Sequence, residues 1–205
     1  MPKAVIFDLD GTLADACEVH RFALNQALLE VTGYEIPKDD LQRYEGLPTK
    51  NKLLILSNEG LVSHDQHGEV NKRKQELTLQ MIEKHICYSI PITHMMRRLE
   101  QEGVKVAVVT NCTEVSARLM LDRLGISQFI RTLVTAERVQ HPKPDPEGLQ
   151  LAMLALGVTP DQVIYVGDQP VDAKAAYEAG VVQYIHVNSV NDVSWELLRC
   201  RGLRS

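Results

Sequence analysis

Residues 4–15, Ala4-Val5-Ile6-Phe7-Asp8-Leu9-Asp10-Gly11-Thr12-Leu13-Ala14-Asp15, place two carboxylates at the end of an apolar run. Such a run reads as a buried strand of a parallel sheet. Open α/β sheets bind their ligands at the carboxyl ends of their strands. On an extended chain Asp8 and Asp10 point to the same side, about 6.5–7 Å apart. Carboxylates beside a hydrophobic strand are costly unless compensated, which points to a cation such as a metal ion between them. Gly11 lets the chain turn away and leaves room for a ligand. Asp-Gly-Thr after a strand also serves as a plain turn with a helix cap, so the chemical reading depends on the rest of the chain.

Three later stretches carry chemistry of the same kind. Thr110-Asn111 offers a hydroxyl, an amide and backbone N–H groups at a strand-to-helix junction, a place suited to an anion or to simple capping. His141-Pro142-Lys143-Pro144-Asp145-Pro146 stiffens the backbone around a lysine. Lys143 can then neutralise a phosphate and pair with the aspartates. Asp145 reads as the cap and Pro146 as the start of the next helix. Asp168 ends another apolar run, and Asp172 follows four residues later, where both can face one cation or Asp172 can cap the helix. Hard oxygen donors with water suit Mg²⁺. Together these groups fit phosphoryl transfer: a carboxylate attacks phosphorus, another protonates the leaving oxygen, and cation and lysine balance the charge.

The elements that must position them follow from periodicity. From Ser89 onward, apolar helices alternate with strands at Val104–Val109, Ile130–Val134, Val163–Val166 and Val181–Val187. That alternation implies a Rossmann-like α/β fold, a parallel sheet with helices on both faces. The sheet brings the four stretches to one edge although they are far apart in sequence. Residues 16–87 lack a strand signal and read as helices, with a polar loop from Gly60 to Gly68. The expected organisation is an α/β unit of residues 1–15 and 88–205 and a small all-helical insertion of residues 16–87 after the first strand. The chain crosses between the two near Asp15 and near Cys87–Ser89.

Composition narrows the class. A chain of 205 residues with 44% hydrophobic and 24% charged residues reads as a soluble globular protein. Aromatics at 5% and a net charge of −5 argue against nucleic acid as a partner. No apolar run is long enough for a bilayer span, and no signal-peptide pattern precedes the first strand. Cys17, Cys87, Cys112 and Cys200 are widely spaced and read as reduced thiols of a cytoplasmic protein.

With those residues in place, the sequence resembles the haloacid dehalogenase-like hydrolase superfamily over nearly its whole length. The four motifs stand here as Asp8-Leu-Asp-Gly-Thr12, Val108-Val-Thr-Asn111, Lys143-Pro-Asp-Pro146 and Gly167-Asp-Gln-Pro-Val-Asp172. Residues 16–87 look like the helical C1-type cap of the phosphatase and phosphomutase branches. The resemblance implies that Asp8 is the nucleophile that forms an aspartyl-phosphate, and that Asp10 is the general acid and base. It implies that Thr110 and the Asn111 backbone hold phosphoryl oxygens while Lys143 offsets charge. Mg²⁺ is then held by Asp8, the Asp10 carbonyl and Asp168, with Asp172 acting directly or through water. Gln169 departs from the pattern, which often has a small hydroxyl residue there.

The implied activity is a Mg²⁺-dependent phosphatase for a small phosphorylated metabolite, a sugar phosphate or a nucleotide. The alternatives are a β-phosphoglucomutase-like phosphomutase or a non-catalytic binding protein on the same fold. Substrate selection is expected on the cap, from His20 and from the Glu45-Gly-Leu-Pro-Thr-Lys50 loop, where Lys50 can contact a phosphate or carboxylate. His20 favours the phosphomutase, which has a histidine at that place. Glu45 and Thr49 count against it, because those enzymes use basic residues there. Monomer and homodimer both remain open.

Overall fold

Ala4–Phe7 forms β1, and all four of its residues are buried. It is the central strand of a five-stranded sheet with β2 (Lys105–Val109), β3 (Ile130–Val134), β4 (Val163–Gly167) and β5 (Gln183–His186), in the order β3-β2-β1-β4-β5. All four pairings are parallel, with Phe7 opposite Val108 on one side and Val166 on the other. A strand buried on both faces has no polar side to show, which is why β1, β2 and β4 read as continuous apolar runs. The computed structural model describes residues 2–44 and 47–203. They fall into two units, Met1–Asp15 with Ile86–Ser205, and Ala16–His85.

In the sheet-containing unit, side chains alternate between faces. Ala4, Ile6, Ala107, Val109, Val163 and Tyr165 pack with Leu149, Ala152, Met153 and Leu156 of one helix and Ala175, Ala176 and Ala179 of another. The intervening Val5, Phe7, Val106, Val108, Ile164 and Val166 are equally buried and by strand alternation face the other way. The helices of this unit are α4 (Ile90–Gln101), α5 (Glu114–Leu124), α6 (Glu147–Leu156), α7 (Pro170–Glu178) and α8 (Trp195–Cys200). The Ser89 hydroxyl caps α4 by accepting the Ile92 N–H, with a proline in the first turn. The sequence reading begins α6 at Pro146. The helix instead runs from Glu147, whose N–H donates to Asp145 Oδ1 at 3.0 Å.

The other unit is helical: α1 (Cys17–Thr32), α2 (Thr49–Asn58) and α3 (His67–His85), with a 3₁₀ segment at Lys38–Tyr44. Its core joins Ala23, Leu24, Ala27 and Leu28 of α1 to Leu53 and Leu56 of α2 and to Val70 and Leu77 of α3. The Asn25 side chain accepts the Ile36 N–H at 2.9 Å and donates to its carbonyl at 3.0 Å, which ties down the chain after α1. The expected polar loop at 60–68 is partly helical. Ser63 and Gln66 form a capping box around a 3₁₀ turn at His64–Gln66, and α3 begins at His67.

Candidate active site

Strand ends place the first groups. The Asp8 N–H donates to the Val166 carbonyl at 2.8 Å as the chain leaves β1, and the Thr110 N–H donates to the Val134 carbonyl at 2.9 Å as it leaves β2. Asp168 follows β4 directly. Parallel pairing therefore sets Asp8, Thr110 and Asp168 along one sheet edge. The Thr110 hydroxyl lies 3.5 Å from Asp10 Oδ2 and accepts the Cys112 N–H at 3.2 Å.

Lys143 is the centre of the site. Its side chain is 4% exposed, and Nζ donates to Asp8 Oδ1 at 2.5 Å, Asp172 Oδ1 at 2.7 Å and the Val109 carbonyl at 3.1 Å. Lys143 arrives on the loop before α6, and several side chains fix that loop. Asn111 accepts the Lys143 N–H and donates to the Lys143 carbonyl, both at 2.9 Å. Glu147 accepts the N–H groups of Gln140 and His141. His141, Asp145 and Glu147 are close enough to share an ion, but Asp145 accepts the Glu147 N–H while Glu147 accepts those of Gln140 and His141, and so the two carboxylates fasten the loop.

Asp172 sits at the third position of α7 and is fully buried. Its Oδ2 accepts the Gln169 N–H at 3.0 Å and its Oδ1 accepts the Tyr165 hydroxyl at 2.6 Å. The carboxylate thus caps the helix and holds Lys143 at once. Asp168 accepts from the Thr12 hydroxyl at 3.2 Å and from Gln169 Nε2 at 2.6 Å. Gln169, the departure from the family pattern, therefore orients this carboxylate.

Gly11 makes the close approach possible. Its φ is +82°, and a Cβ there would lie 2.3 Å from Asp168 Oδ2. Gly11→Ala is expected to cost about 1–3 kcal/mol in backbone strain and also to displace Asp168. Urea denaturation should show the lost stability, and calorimetric titration with a divalent cation should show weaker binding than in the wild type. Unchanged cation binding would mean that the Asp168 position is unimportant for it.

Charge is unbalanced here. Carboxylate oxygens of Asp8, Asp168 and Asp172 all lie within 4.8 Å of one another. Burial pushes the Asp8 carboxyl well above its ordinary range; Lys143 opposes this, and Asp172 and Asp10 add to it. Burial raises Asp168 as well. Burial would lower Lys143, but the Asp172 and Asp8 carboxylates outweigh it and keep the ammonium charged. Burial raises the Tyr165 phenol, which stays protonated as a donor. Two buried acids, Asp8 and Asp172, and the half-buried Asp168 around one ammonium form a site that a divalent cation would neutralise, and the oxygen-only donor set fits a hard ion.

Asp8, Asp10, Thr110, Asn111, Lys143, Asp168 and Asp172 all lie in the sheet-containing unit. The Asn111 side chain is committed to the Lys143 backbone, so a direct ligand role falls to its N–H. His20 and Lys50 lie in the helical unit. His20 Nδ1 is 3.3 Å from Nζ of Lys74, a buried lysine on α3. Lys50 is an exposed residue in the first turn of α2. Glu45 and Gly46 of the proposed specificity loop lie outside the described residues. Sequence reasoning missed Lys74 and Tyr165. A tyrosine in a buried aliphatic strand was a usable signal, because its hydroxyl needs a partner. Among the described residues, no helix is long and apolar enough to cross a membrane.

Residues 5–187 match the family model for haloacid dehalogenase-like hydrolases. A phosphoglycolate phosphatase of Pseudomonas putida is 30% identical over 188 residues, covering 88% of this chain and 68% of that protein. An N-acetylmuramic acid 6-phosphate phosphatase of Pseudomonas aeruginosa is 33% identical over 181 residues, covering 87% and 78%. A β-phosphoglucomutase structure from Clostridium difficile superposes with a TM-score of 0.84 at 20% identity, over 98% of this chain and 97% of that one. That likeness concerns the fold.

Proposed function

The chain belongs to the haloacid dehalogenase-like hydrolases, and from that premise we propose a Mg²⁺-dependent phosphatase that hydrolyses a small phosphorylated metabolite through an aspartyl-phosphate on Asp8. The observation that carries this reading is the buried Lys143 ammonium held between Asp8 and Asp172, with Asp10 at the same strand end, 3.5 Å from the Thr110 hydroxyl.

In the first step, a carboxylate oxygen of Asp8 bonds to phosphorus and the bond from phosphorus to the ester oxygen breaks. Asp10 gives its proton to that leaving oxygen. In the second step, Asp10 takes a proton from water as the water oxygen bonds to phosphorus, and the Asp8–phosphorus bond breaks to release phosphate. Thr110 and the Asn111 N–H bind phosphoryl oxygens, and Lys143 offsets charge that builds on them. Mg²⁺, held by Asp8, the Asp10 carbonyl and Asp168, would supply further charge neutralisation. Asp172, whose oxygens already accept Lys143, Tyr165 and the Gln169 N–H, would add its negative charge to the same site.

Residues 16–87 are proposed as the cap that selects the substrate, with His20 and Lys50 as candidate contacts. The named relatives make phosphoglycolate and a phosphorylated amino sugar the first compounds to try. A cytoplasmic location accords with the scattered free cysteines. The phosphomutase reading shares the first half-reaction, and His20, where those enzymes resemble this chain in having a histidine, is the residue on its side. The test is phosphate release from a panel of phosphorylated metabolites with Mg²⁺ and with chelator. Release that requires the metal is expected. Phosphate returned from a sugar bisphosphate to a monophosphate faster than it is hydrolysed would favour the mutase.

A further inference from the structure

Tyr165 is buried at the middle of β4, its ring 5.8 Å from that of Tyr184. Phenylalanine could fill that space without a hydroxyl to satisfy. The hydroxyl donates to Asp172 Oδ1 at 2.6 Å and stands 3.3 Å from Lys143 Nζ. An ammonium has three protons. Asp8 Oδ1 at 2.5 Å, Asp172 Oδ1 at 2.7 Å and the Val109 carbonyl at 3.1 Å are the shorter contacts that take them. The phenol proton therefore goes to Asp172, whose Oδ1 is shared between two donors.

This sharing matters because Asp8 and Asp172 compete for one ammonium. A carboxylate oxygen that accepts a second hydrogen bond has less negative potential for the first donor. Without the hydroxyl, Asp172 attracts Lys143 more strongly and Asp8 holds it less well. Resting on the phosphatase reading for its kinetic consequence, we propose that Tyr165 is a positioning residue that weakens the hold of Asp172 on Lys143 and so keeps the ammonium on the nucleophile Asp8. Its hydroxyl need not touch substrate.

The test is Tyr165→Phe, with Thr93→Val as a control that removes a buried hydroxyl from α4, where Thr93 donates to the Leu124 carbonyl. With p-nitrophenyl phosphate as probe, Tyr165→Phe is expected to lower kcat about tenfold, the loss of one buried hydrogen bond, with KM little changed. Thr93→Val should leave kcat unchanged. In metal-free protein labelled with ¹³C at aspartate carboxyls, the Asp8 signal should move in Tyr165→Phe, although the hydroxyl donates to Asp172. An unchanged kcat, a change confined to KM, an equal loss in Thr93→Val or a stationary Asp8 signal would overturn the proposal. Wild-type protein inactive on every phosphate ester would instead defeat the phosphatase reading, and the Asp8 signal would still decide whether Tyr165 positions Lys143.

Discussion

Asp8→Asn is expected to reduce phosphate release by about 10⁴-fold or more, the scale of removing a covalent nucleophile. The substitution keeps the shape of the side chain, and the amide oxygen can still accept from Lys143 Nζ, which donates to Asp8 Oδ1 at 2.5 Å. What disappears is a negatively charged oxygen able to bond to phosphorus. Stability should not fall with it. Burial raises the Asp8 carboxyl, so the folded state holds a proton that the unfolded chain, with a carboxylate pKa of about 3.9, has already released. Stability of the wild type therefore declines as pH rises from about 4 through the folded-state value. Asparagine removes that decline. Phosphate assays with Mg²⁺, beside urea denaturation in chelator from pH 4 to about pH 8, separate the two effects. An Asp8→Asn enzyme within tenfold of wild type would take the nucleophile role away from Asp8.

The residues that proved legible in the sequence are those fixed by periodicity and topology. The runs ending at Phe7, Val109 and Val166 had to be strands, and a parallel sheet had to bring Asp8, Thr110 and Asp168 to one edge. Lys143 stood out because prolines flank it. Partner choice was less accessible. Asn111 reads as an anion-binding amide from its place after a strand, yet its side chain faces the Lys143 backbone 32 residues further on. Only the tertiary path of that loop decides between the two. Tyr165 reads as strand core, since alternation gives its face but not the carboxylate waiting there. Lys74 lies in a run rich in charge, and neither its burial nor its approach to His20, 54 residues earlier, is present in the local pattern. Asp172 reads in the sequence both as a helix cap and as a member of the site. The geometry joins the two, because one oxygen takes the Gln169 N–H and the other takes Lys143.

Lys143→Met should damage both stability and turnover, for one electrostatic reason. Methionine matches the length and volume of the buried stem but leaves Asp8 and Asp172, 7% and 0% exposed at their side chains, without their shared cation. Breaking a buried ion pair from one side costs about 3–5 kcal/mol. Turnover should drop about 10³-fold, as when a preorganised charge aimed at the transition state is removed. The pH dependence distinguishes this from a packing defect. Loss of Lys143 removes the influence that lowers the Asp8 carboxyl, so its folded-state value rises further above the unfolded one. The variant's deficit should then be small near pH 4 and widen as pH rises and Asp8 must ionise. A packing defect would be the same at both ends. Adding Asp172→Asn removes one of the two stranded carboxylates, so the double variant should be more stable at neutral pH than Lys143→Met alone, even though Asp172→Asn by itself destabilises wild type. Urea denaturation of the four proteins in chelator completes the cycle. Strictly additive losses would mean that Lys143 and Asp172 stabilise the fold independently, and that the buried carboxylates do not need this ammonium.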